Sequence, residues 1–428
     1  MVSCAKLRKV QCESEQLFCK WVHAKGCKSL GTQRKPRTKK ELVEKTVPKT
    51  KKTTESTLLP VFIDSGTYGC VVSPPLDSSD SKVIIPYTNA SKQDIGKVFK
   101  NSDRAFREEL ETLRNIEKID PDNIFTIQLK GAMNIPTDLS TIDNVPKLQS
   151  CLKSGRKNRN YFPQIVLENG GIRIDNKNYL TDKSWTLTYT EFLHSFKVFL
   201  EGMAKLQSNN MVHADIKPQN VLISKEKKIS LIDFGLLENA DRFYDESNIS
   251  ILKYLEYPFY PPEFFLAASF LDSEDGTISS HRLNALFNQS FLVDNKSLLE
   301  KYNKGVSEFL EVFAKEKTFD GRRKIFSPKL ALKGDVFGLA YIIAALNKRI
   351  VGATQKEKTF INKIFSKCRE PNPFSRISLQ ELLKLVTQEN KKQTMLKSSV
   401  QKQIKEIVGG KLIKTECDNV STKMFEYV

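Results

Sequence analysis

The segments HADIKPQN, residues 213–220, and LIDFG, residues 231–235, decide the fold of this chain. The first segment places Asp215, Lys217 and Asn220 at fixed offsets on a short loop. The second segment places Asp233 thirteen residues beyond Asn220, after one predicted strand. Phosphoryl transfer needs a carboxylate that accepts the proton of the attacking hydroxyl, and further oxygens that hold magnesium against the phosphates. The two segments together, in this order and at this separation, indicate a kinase.

The composition indicates a soluble globular protein. The chain has 428 residues, of which 39% are hydrophobic and 28% are charged. No run reaches about 18 apolar residues, so we expect no membrane-spanning helix, and the N-terminus lacks the apolar core of a signal peptide. The eight cysteines show no disulfide framework. We therefore expect an intracellular protein in a reducing compartment.

The positive charge is concentrated in an N-terminal arm, residues 1–58. Residues 1–60 carry 15 Lys and Arg against 5 Asp and Glu, a net +10 of the +18 of the whole chain. Residues 31–56 are rich in Lys, Thr and Pro, and such a segment buries too little apolar area to offset its ordering entropy. We therefore predict a largely disordered basic arm.

Two features of the arm allow alternative interpretations. The basic run Arg34–Lys40 is typical of a nuclear import signal or a nucleic-acid contact, and equally of a solubilising tail. Cys12, Cys19, His23 and Cys27 lack the close cysteine pairs of common zinc sites. Because positions 19, 23 and 27 would share one stripe of a helix, a small apolar helix face is favoured over zinc.

The pattern after the arm predicts a small strand-rich lobe and then a larger helical lobe. A strand, a glycine turn and a second strand are predicted from Leu58, with further strands at Ile95–Phe99 and Tyr161–Leu167. Helical spacing runs from Arg104 to Ile119. Further helices are predicted at about 189–208, 333–347, 356–367 and 378–388. The two lobes are predicted to join near residues 168–171.

Residues 64–71 fit most of the pattern G-x-G-x-x-G-x-V. Glycine lets backbone amides approach phosphates closely. Ser65, Gly66, Gly69 and Val71 are therefore candidates for binding a nucleotide, with a plain hairpin turn as the alternative. Asp64 replaces the first glycine of the pattern, which leaves that edge of the loop open to question.

The strand Ile95–Phe99 carries the candidate partner of the phosphates. Lys97 and Lys100 lie on opposite faces of a strand, and Lys97 is favoured because apolar residues continue after it. The helix that follows presents Glu109, with apolar residues one, four and seven positions further on. That face would pack on the sheet and direct Glu109 toward Lys97. Glu108 and Glu111 remain alternatives.

The whole set resembles the eukaryotic-type protein kinase superfamily over about residues 59–388. The resemblance implies an α+β, two-lobed fold, with an antiparallel-sheet N-lobe at 59–168, a helical C-lobe at 169–388 and a C-terminal extension at 389–428. It implies ATP and Mg²⁺ as cofactors. In this interpretation Asp215 is the catalytic base, Lys217 contacts the γ-phosphate, and Asn220 and Asp233 are the magnesium ligands.

The resemblance also implies the site of the adenine and two structural contacts. Adenine is expected on the backbone between Glu168 and Gly170. Pro261-Pro262-Glu263 resembles the A-P-E end of the activation segment, and Arg376 resembles the arginine that forms an ion pair with the A-P-E glutamate. Asp335 resembles the buried aspartate that anchors the catalytic loop. Small-molecule phosphotransferases usually lack this set and the lysine two residues after the catalytic acid.

A narrower resemblance points to kinases of nucleocytoplasmic large DNA viruses. It rests on GTYGCVVSPPL at residues 66–76 and LENGG at residues 167–171. It implies a viral Ser/Thr kinase that acts in the host cytoplasm or is carried in the virion, with the nucleus as an alternative through Arg34–Lys40. The expected partners are protein substrates, and nucleic acid or an acidic protein through residues 1–58. No membrane partner is expected.

Two positions depart from the superfamily pattern. Ala214 stands where an arginine usually pairs with an activation-loop phosphate, so we predict activity without loop phosphorylation. Glu263 and Asp335 are separated by a long segment, and residues of about 268–330 are predicted to form a helical insert that shapes substrate docking or packs on the lobe. A pseudokinase is disfavoured because every catalytic position is filled.

Overall fold

The computed structural model describes residues 19–22, 26–29, 59–66, 68–77, 80–87, 91–100, 103–153, 155, 159–245, 259–271, 273, 278–287 and 296–407. The chain divides into two compact units, residues 1–57 and residues 58–428. The kinase-like motifs all lie in the second unit.

The first unit contains a two-stranded antiparallel hairpin. Its strands are β1 (Cys19–Val22) and β2 (Gly26–Ser29), with Trp21 opposite Cys27. The predicted helix face was therefore wrong for Cys19 and Cys27, because a strand repeats every two residues rather than every 3.6. Within the described residues no cluster of three metal-binding side chains occurs. Cys12, His23 and the run 34–40 lie outside the described residues.

The second unit begins with a six-stranded antiparallel sheet. Its spatial order is β3-β4-β6-β8-β7-β5. The strands are β3 (Val61–Ser65), β4 (Gly69–Ser73), β5 (Lys82–Ile85), β6 (Ile95–Phe99), β7 (Leu129–Pro136) and β8 (Tyr161–Leu167). The predicted strands at 95–99 and 161–167 are confirmed. Since β4 pairs with β6, the glycine turn and Lys97 lie on neighbouring strands.

One face of this sheet is covered by α1 (Asp103–Ile119), in agreement with the helix predicted from the sequence. The apolar residues of α1 recur at helical spacing and are buried against the sheet. These residues are Phe106, Leu110, Leu113 and Ile116. Their packing fixes the rotation of the helix and directs Glu109 to the same side.

The opposite face of the sheet is covered by two short helices between β7 and β8. These are α2 (Ser140–Asp143) and α3 (Pro146–Leu152), and they form a separate apolar cluster with β4 and β8. A disulfide joins Cys70 of β4 to Cys151 of α3. This disulfide corrects the expectation, drawn from the scattered cysteines, of a chain without disulfides: Cys70 and Cys151 lie 81 residues apart, so no local spacing marks them as partners.

The larger lobe is helical. Its helices are α4 (Tyr189–Ser208), α5 (Pro262–Leu271), α6 (Ser280–Phe287), α7 (Lys296–Lys315), α8 (Phe319–Ile325), α9 (Pro328–Asn347), α10 (Gln355–Cys368) and α11 (Leu379–Ile407). Short strands carry the catalytic loop and its flanks: β9 (Ile172–Arg173), β10 (Met211–Val212), β11 (Val221–Ile223), β12 (Ile229–Leu231) and β13 (Glu238–Asn239). The two-lobed α+β prediction is confirmed.

The last helix corrects one boundary. We predicted a helix at about 378–388 followed by a separate extension from residue 389, but α11 continues without a break to Ile407. Its first part packs along α4, and Tyr189 donates a hydrogen bond to Glu389. Contact with α4 therefore continues beyond the residue where the sequence pattern weakened.

The described part of the predicted insert at about 268–330 is mainly helical. Within its described part, α7 buries Val306, Phe309 and Phe313, and the Phe270 and Phe313 rings meet edge to face at 5.2 Å. This apolar face shows that α7 packs on the lobe, which was one of the two roles expected for the insert.

Helix α9 is long and apolar enough to cross a membrane by length and composition alone. However, two thirds of its most apolar window is buried inside the lobe, and Asp335 lies within it. These features are those of a core helix.

Candidate active site

The catalytic loop is held by a buried carboxylate on α9. The Asp335 side chain accepts the N–H of His213 at 2.8 Å and the N–H of Ala214 at 2.9 Å. Ala214 has a φ of 62°, in the left-handed region that costs a residue with a side chain some energy. Burial raises the pKa of Asp335 to about 7, and the two hydrogen bonds oppose that rise. Asp335 therefore fixes the backbone that precedes Asp215.

Asp215 lies at the centre of a polar cluster. Lys217 Nζ and Asn220 Nδ2 both donate to Asp215 Oδ2 at 2.8 Å, and Asn220 Nδ2 also lies 3.0 Å from the Asp215 carbonyl. The hydroxyl of Tyr260 donates to Asp215 Oδ1 at 2.9 Å. The structure thus brings together three residues chosen from the sequence and adds Tyr260.

His213 is structural rather than reactive. Its ring is buried, its Nδ1 accepts the N–H of Asp215 at 3.2 Å, and it packs edge-on against Phe234 at 5.1 Å. Burial lowers the pKa of His213 to about 4, so the ring is neutral at physiological pH. Phe234 belongs to the main apolar core and positions the segment that carries Asp233.

Asp233 follows β12 on an exposed turn with a φ of 63°. The N–H of Ile232 donates to the carbonyl of Asn220 at 2.9 Å, which brings the Asp233 segment beside the catalytic loop. Asn220 directs its amide nitrogen at Asp215, so its amide oxygen is directed elsewhere. Carboxylate and amide oxygens are ligands that Mg²⁺ accepts, together with water and substrate phosphates. The donor set of Asn220 and Asp233 fits that ion.

The ion pair expected on the N-lobe is present. Lys97 Nζ lies 2.6 Å from both carboxylate oxygens of Glu109. Burial raises the pKa of Glu109, while the charge of Lys97 opposes this and the nearby Asp233 adds to it. The alternatives point elsewhere: Lys100 donates to the carbonyl of Gly66 at 3.1 Å, and Glu108 pairs with Arg104 on the exposed face of α1.

The two glycines of the turn between β3 and β4 have different surroundings. A Cβ on Gly69 would lie 2.4 Å from the Val98 carbonyl, so only glycine allows this approach to β6. A Cβ on Gly66 would meet nothing within 4 Å, which leaves open space beside its backbone. Ser65 donates its N–H to the Asp64 carboxylate, and Val71 pairs across the sheet with Lys97. These residues form one side of the predicted phosphate site.

Asp64, which replaces the first glycine, forms an ion pair between the lobes. Its Oδ2 lies 3.1 Å from Arg173 Nη1, just beyond the lobe junction. At that junction a Cβ on Gly170 would collide with Ile127 and Leu222. Glu168 donates its N–H to the Gln128 carbonyl and extends its carboxylate to Lys228 at 3.6 Å. The backbone segment expected to hold the adenine is therefore packed against the apolar side chains of Ile127 and Leu222.

The other contacts implied by the resemblance are also present. Arg376 and Glu263 form a fully buried, two-pronged ion pair, with Arg376 Nη2 at 3.0 Å from Glu263 Oε2. Arg376 also donates to the carbonyls of Lys333, Glu370 and Pro371. The pair joins the start of α5 to the segment before α11.

Two side chains with a role near the site were missed from the sequence. Tyr260 directly precedes the Pro-Pro-Glu segment, but its contact with Asp215 spans 45 residues and left no local signal. Arg349 is buried at the end of α9 and donates to the carbonyls of Arg173, Ile174, Asn176 and Trp185. It anchors the segment that follows the lobe junction. A lone arginine after an apolar helix gives no indication of that role.

Comparison with known proteins agrees with this geometry. The family model of the protein kinase domain matches residues 62–387, which is most of the chain. The chain belongs to the protein kinase family.

Individual relatives are distant. The chain is 21% identical over 245 residues to an RGS domain-containing serine/threonine-protein kinase A of Dictyostelium discoideum, covering 57% of this chain and 18% of the relative. It is 22% identical over 245 residues to a stress-activated protein kinase JNK of Suberites domuncula, covering 56% and 57%. A probable serine/threonine-protein kinase mkcB of Dictyostelium discoideum is 40% identical over 97 residues, covering 23% and 13%. The matches thus span less than two thirds of each relative.

Proposed function

We propose that this chain transfers the γ-phosphate of ATP to serine or threonine hydroxyls of proteins. The observation that carries the proposal is the Asp215 cluster, in which Lys217 and Asn220 both hold one carboxylate oxygen at 2.8 Å. The relatives named as serine/threonine kinases support this choice of acceptor.

The chemistry follows from the positions of these side chains. Asp215 takes the proton of the acceptor hydroxyl. The hydroxyl oxygen attacks the γ-phosphorus, and ADP leaves. Lys217, whose ammonium lies 2.8 Å from Asp215 Oδ2, contacts the transferring phosphoryl group in this proposal and offsets its charge. Lys97, oriented by Glu109, holds the α- and β-phosphates. Magnesium, when held by Asn220 and Asp233, supplies charge neutralisation at the phosphates.

The same site supports an activation mechanism without loop phosphorylation. Ala214 has no side chain that could bind a phosphate, and Asp335 already fixes its backbone N–H. The loop that carries Asp215 is therefore held by a buried contact. We propose that the unphosphorylated chain is active.

Three alternatives have distinct signatures. A pseudokinase would bind ATP without transferring phosphate. A small-molecule kinase would phosphorylate a free hydroxyl compound and not a protein, which Lys217 and the Glu263–Arg376 pair disfavour. A nucleic-acid-binding protein acting through residues 1–58 would show salt-sensitive binding that disappears when the arm is removed, and this role is compatible with kinase activity.

The origin and location of the protein are part of the proposal. GTYGCVVSPPL and LENGG support a viral kinase acting in the host cytoplasm or carried in the virion. The basic run Arg34–Lys40 supports entry into the nucleus or contact with nucleic acid or an acidic protein. The substrates proposed are proteins.

The direct test is transfer of labelled phosphate from ATP with Mg²⁺ to casein, myelin basic protein and the chain itself. Acid hydrolysis of the product should yield phosphoserine or phosphothreonine. ATP bound without any transfer would favour the pseudokinase. Phosphotyrosine as the sole product would overturn the proposed acceptor class.

A further inference from the structure

The two oxygens of the Asp215 carboxylate have different partners. Oδ2 accepts both Lys217 Nζ and Asn220 Nδ2, whereas Oδ1 accepts the hydroxyl of Tyr260 at 2.9 Å. An O–H donor at this distance on a carboxylate makes the same hydrogen bond that an acceptor hydroxyl must make with its general base. Tyr260 thus occupies the position at which the substrate hydroxyl is activated.

We propose that the Tyr260 hydroxyl competes with the acceptor hydroxyl for the catalytic carboxylate. The acceptor hydroxyl must displace it before transfer. The inference rests on the proposed kinase function and adds regulation at the same site. Tyr260 is not a catalytic residue in this account. It gates access to Asp215.

The first support is that Asp215 does not need Tyr260 for its orientation. The side chain is fixed through Oδ2 by Lys217 and Asn220, and the backbone N–H of Asp215 is held by His213. Asp335 fixes the backbone of the two residues before Asp215. Removing the Tyr260 hydroxyl therefore leaves the carboxylate in place and opens Oδ1.

The second support is the rigid backbone that carries Tyr260. Pro261 and Pro262 follow it, and Glu263 is locked to Arg376 inside the lobe. Proline fixes its own φ, and the residue before a proline is also restricted. The backbone at Tyr260 therefore has little freedom, while its side chain is only partly buried. Displacement by a substrate requires a rotamer change and no refolding.

The third support is a chemical consequence. With Oδ1 occupied by a tyrosine hydroxyl, a water molecule has less access to the base when no acceptor is bound. Water activated by Asp215 would attack the γ-phosphorus and waste ATP. A gate of this kind favours protein hydroxyls, which bring binding energy from flanking residues, over water.

The test compares Tyr260→Phe with the wild type. Phe keeps the ring and removes the hydroxyl. We expect about a tenfold rise in kcat/KM toward myelin basic protein, from loss of a hydrogen bond to a charged group, with KM for ATP unchanged. Hydrolysis of ATP without an acceptor should rise as well. Tyr260→Leu, which removes ring and hydroxyl, is expected to act in the same direction.

Matched controls separate the possible failures. Tyr161→Phe removes a tyrosine hydroxyl from an exposed side chain on β8 and should change neither rate. Thermal unfolding of each variant shows whether it is folded. Asp215→Ala gives the background without the base.

The outcomes distinguish failure of the proposed gate from failure of the proposed kinase function. Transfer by the wild type that Tyr260→Phe leaves unchanged or lowers, in a folded variant, overturns the gate and leaves the kinase function standing. No transfer by either, at the Asp215→Ala background, overturns both. Transfer by Tyr260→Phe alone supports the gate most strongly.

Discussion

Two ion pairs of the same chemical kind lie in very different surroundings. Lys97–Glu109 retains 25% and 28% side-chain exposure at the edge of the nucleotide site, whereas Glu263–Arg376 has none. The buried pair is completed by carbonyls of Lys333, Glu370 and Pro371. Burial determines what each pair does: the accessible pair can contact a ligand, and the enclosed pair can only stabilise the fold.

The largest expected effect is the loss of one partner in the enclosed pair. Arg376→Ala or Glu263→Ala leaves a buried charge without its counterion and should lower the free energy of unfolding by about 3–5 kcal/mol. Urea denaturation measures this loss. The double replacement Glu263→Leu with Arg376→Met should be less harmful than either single alanine, because no unpaired charge remains.

A control for this prediction lies on α1. Glu108 and Arg104 form an exposed pair, and Glu108→Ala should leave the unfolding midpoint nearly unchanged. Equal losses at Glu108 and Glu263 would remove burial as the explanation.

The next effect is on catalysis rather than on stability. Lys97→Met should lower phosphate transfer by about 10²–10³-fold, the usual consequence of removing a group that stabilises developing charge. The free energy of unfolding should change by only about 1 kcal/mol, because the pair is partly exposed. Initial rates and urea denaturation test both parts.

Lys100→Met is the matched variant, since the Lys100 ammonium donates to the Gly66 carbonyl of the glycine turn and not to Glu109. It should retain most of the activity. If the two variants lose activity equally, the assignment of Lys97 to the phosphates is wrong.

A third prediction concerns pH. Burial lowers the pKa of His213 from 6.5 to about 4, so the unfolded chain binds more protons than the folded chain between these values. The contribution of His213 to stability is present above pH 6.5 and is lost as pH falls toward 4. Between pH 7 and pH 5 the loss should be about 1–2 kcal/mol.

His213→Asn isolates this contribution because its amide oxygen can still accept the Asp215 N–H. The difference in unfolding free energy between the wild type and the variant should shrink as the pH falls. Asp335 acts in the opposite direction: burial raises its pKa to about 7, so its contribution is present below pH 3.8 and is lost as pH rises through 7. A difference that stays constant with pH would contradict a neutral buried His213.

The smallest effect is expected at Asp64 and Arg173. Their side chains are about half exposed, so the pair contributes less than about 1 kcal/mol. Asp64→Asn should change KM for ATP by less than about threefold, and salt near 1 M should abolish the difference. A large effect that persists in high salt would mean that Asp64 contacts the nucleotide directly.

Local sequence pattern and family motifs were sufficient to predict helix α1 and several contacts of the site. Apolar spacing placed α1, and with it Glu109 opposite Lys97. The motifs also placed Asp335 beneath the catalytic loop and Arg376 beside Glu263. These contacts follow from elements whose register is fixed by buried residues.

Other features could not be predicted because they depend on tertiary contacts between distant residues. The Cys70–Cys151 disulfide, the carbonyls around Arg349 and the Tyr260 hydroxyl on Asp215 each join positions far apart in the chain. The continuation of α11 beyond residue 388 depends on packing against α4. In the arm, Cys19 and Cys27 lie in strands, because pairing between two short strands replaces the helical period that the spacing of residues 19, 23 and 27 suggests.

The most direct test of the account is the rate of phosphate transfer by Asp215→Ala, measured beside ATP binding and thermal unfolding of the same sample. Asp215 is predicted to be the base at a site whose fold is held by other groups. Transfer should therefore fall to background while ATP binding and the unfolding temperature stay close to wild type. Transfer near the wild-type rate in the folded variant would contradict the account.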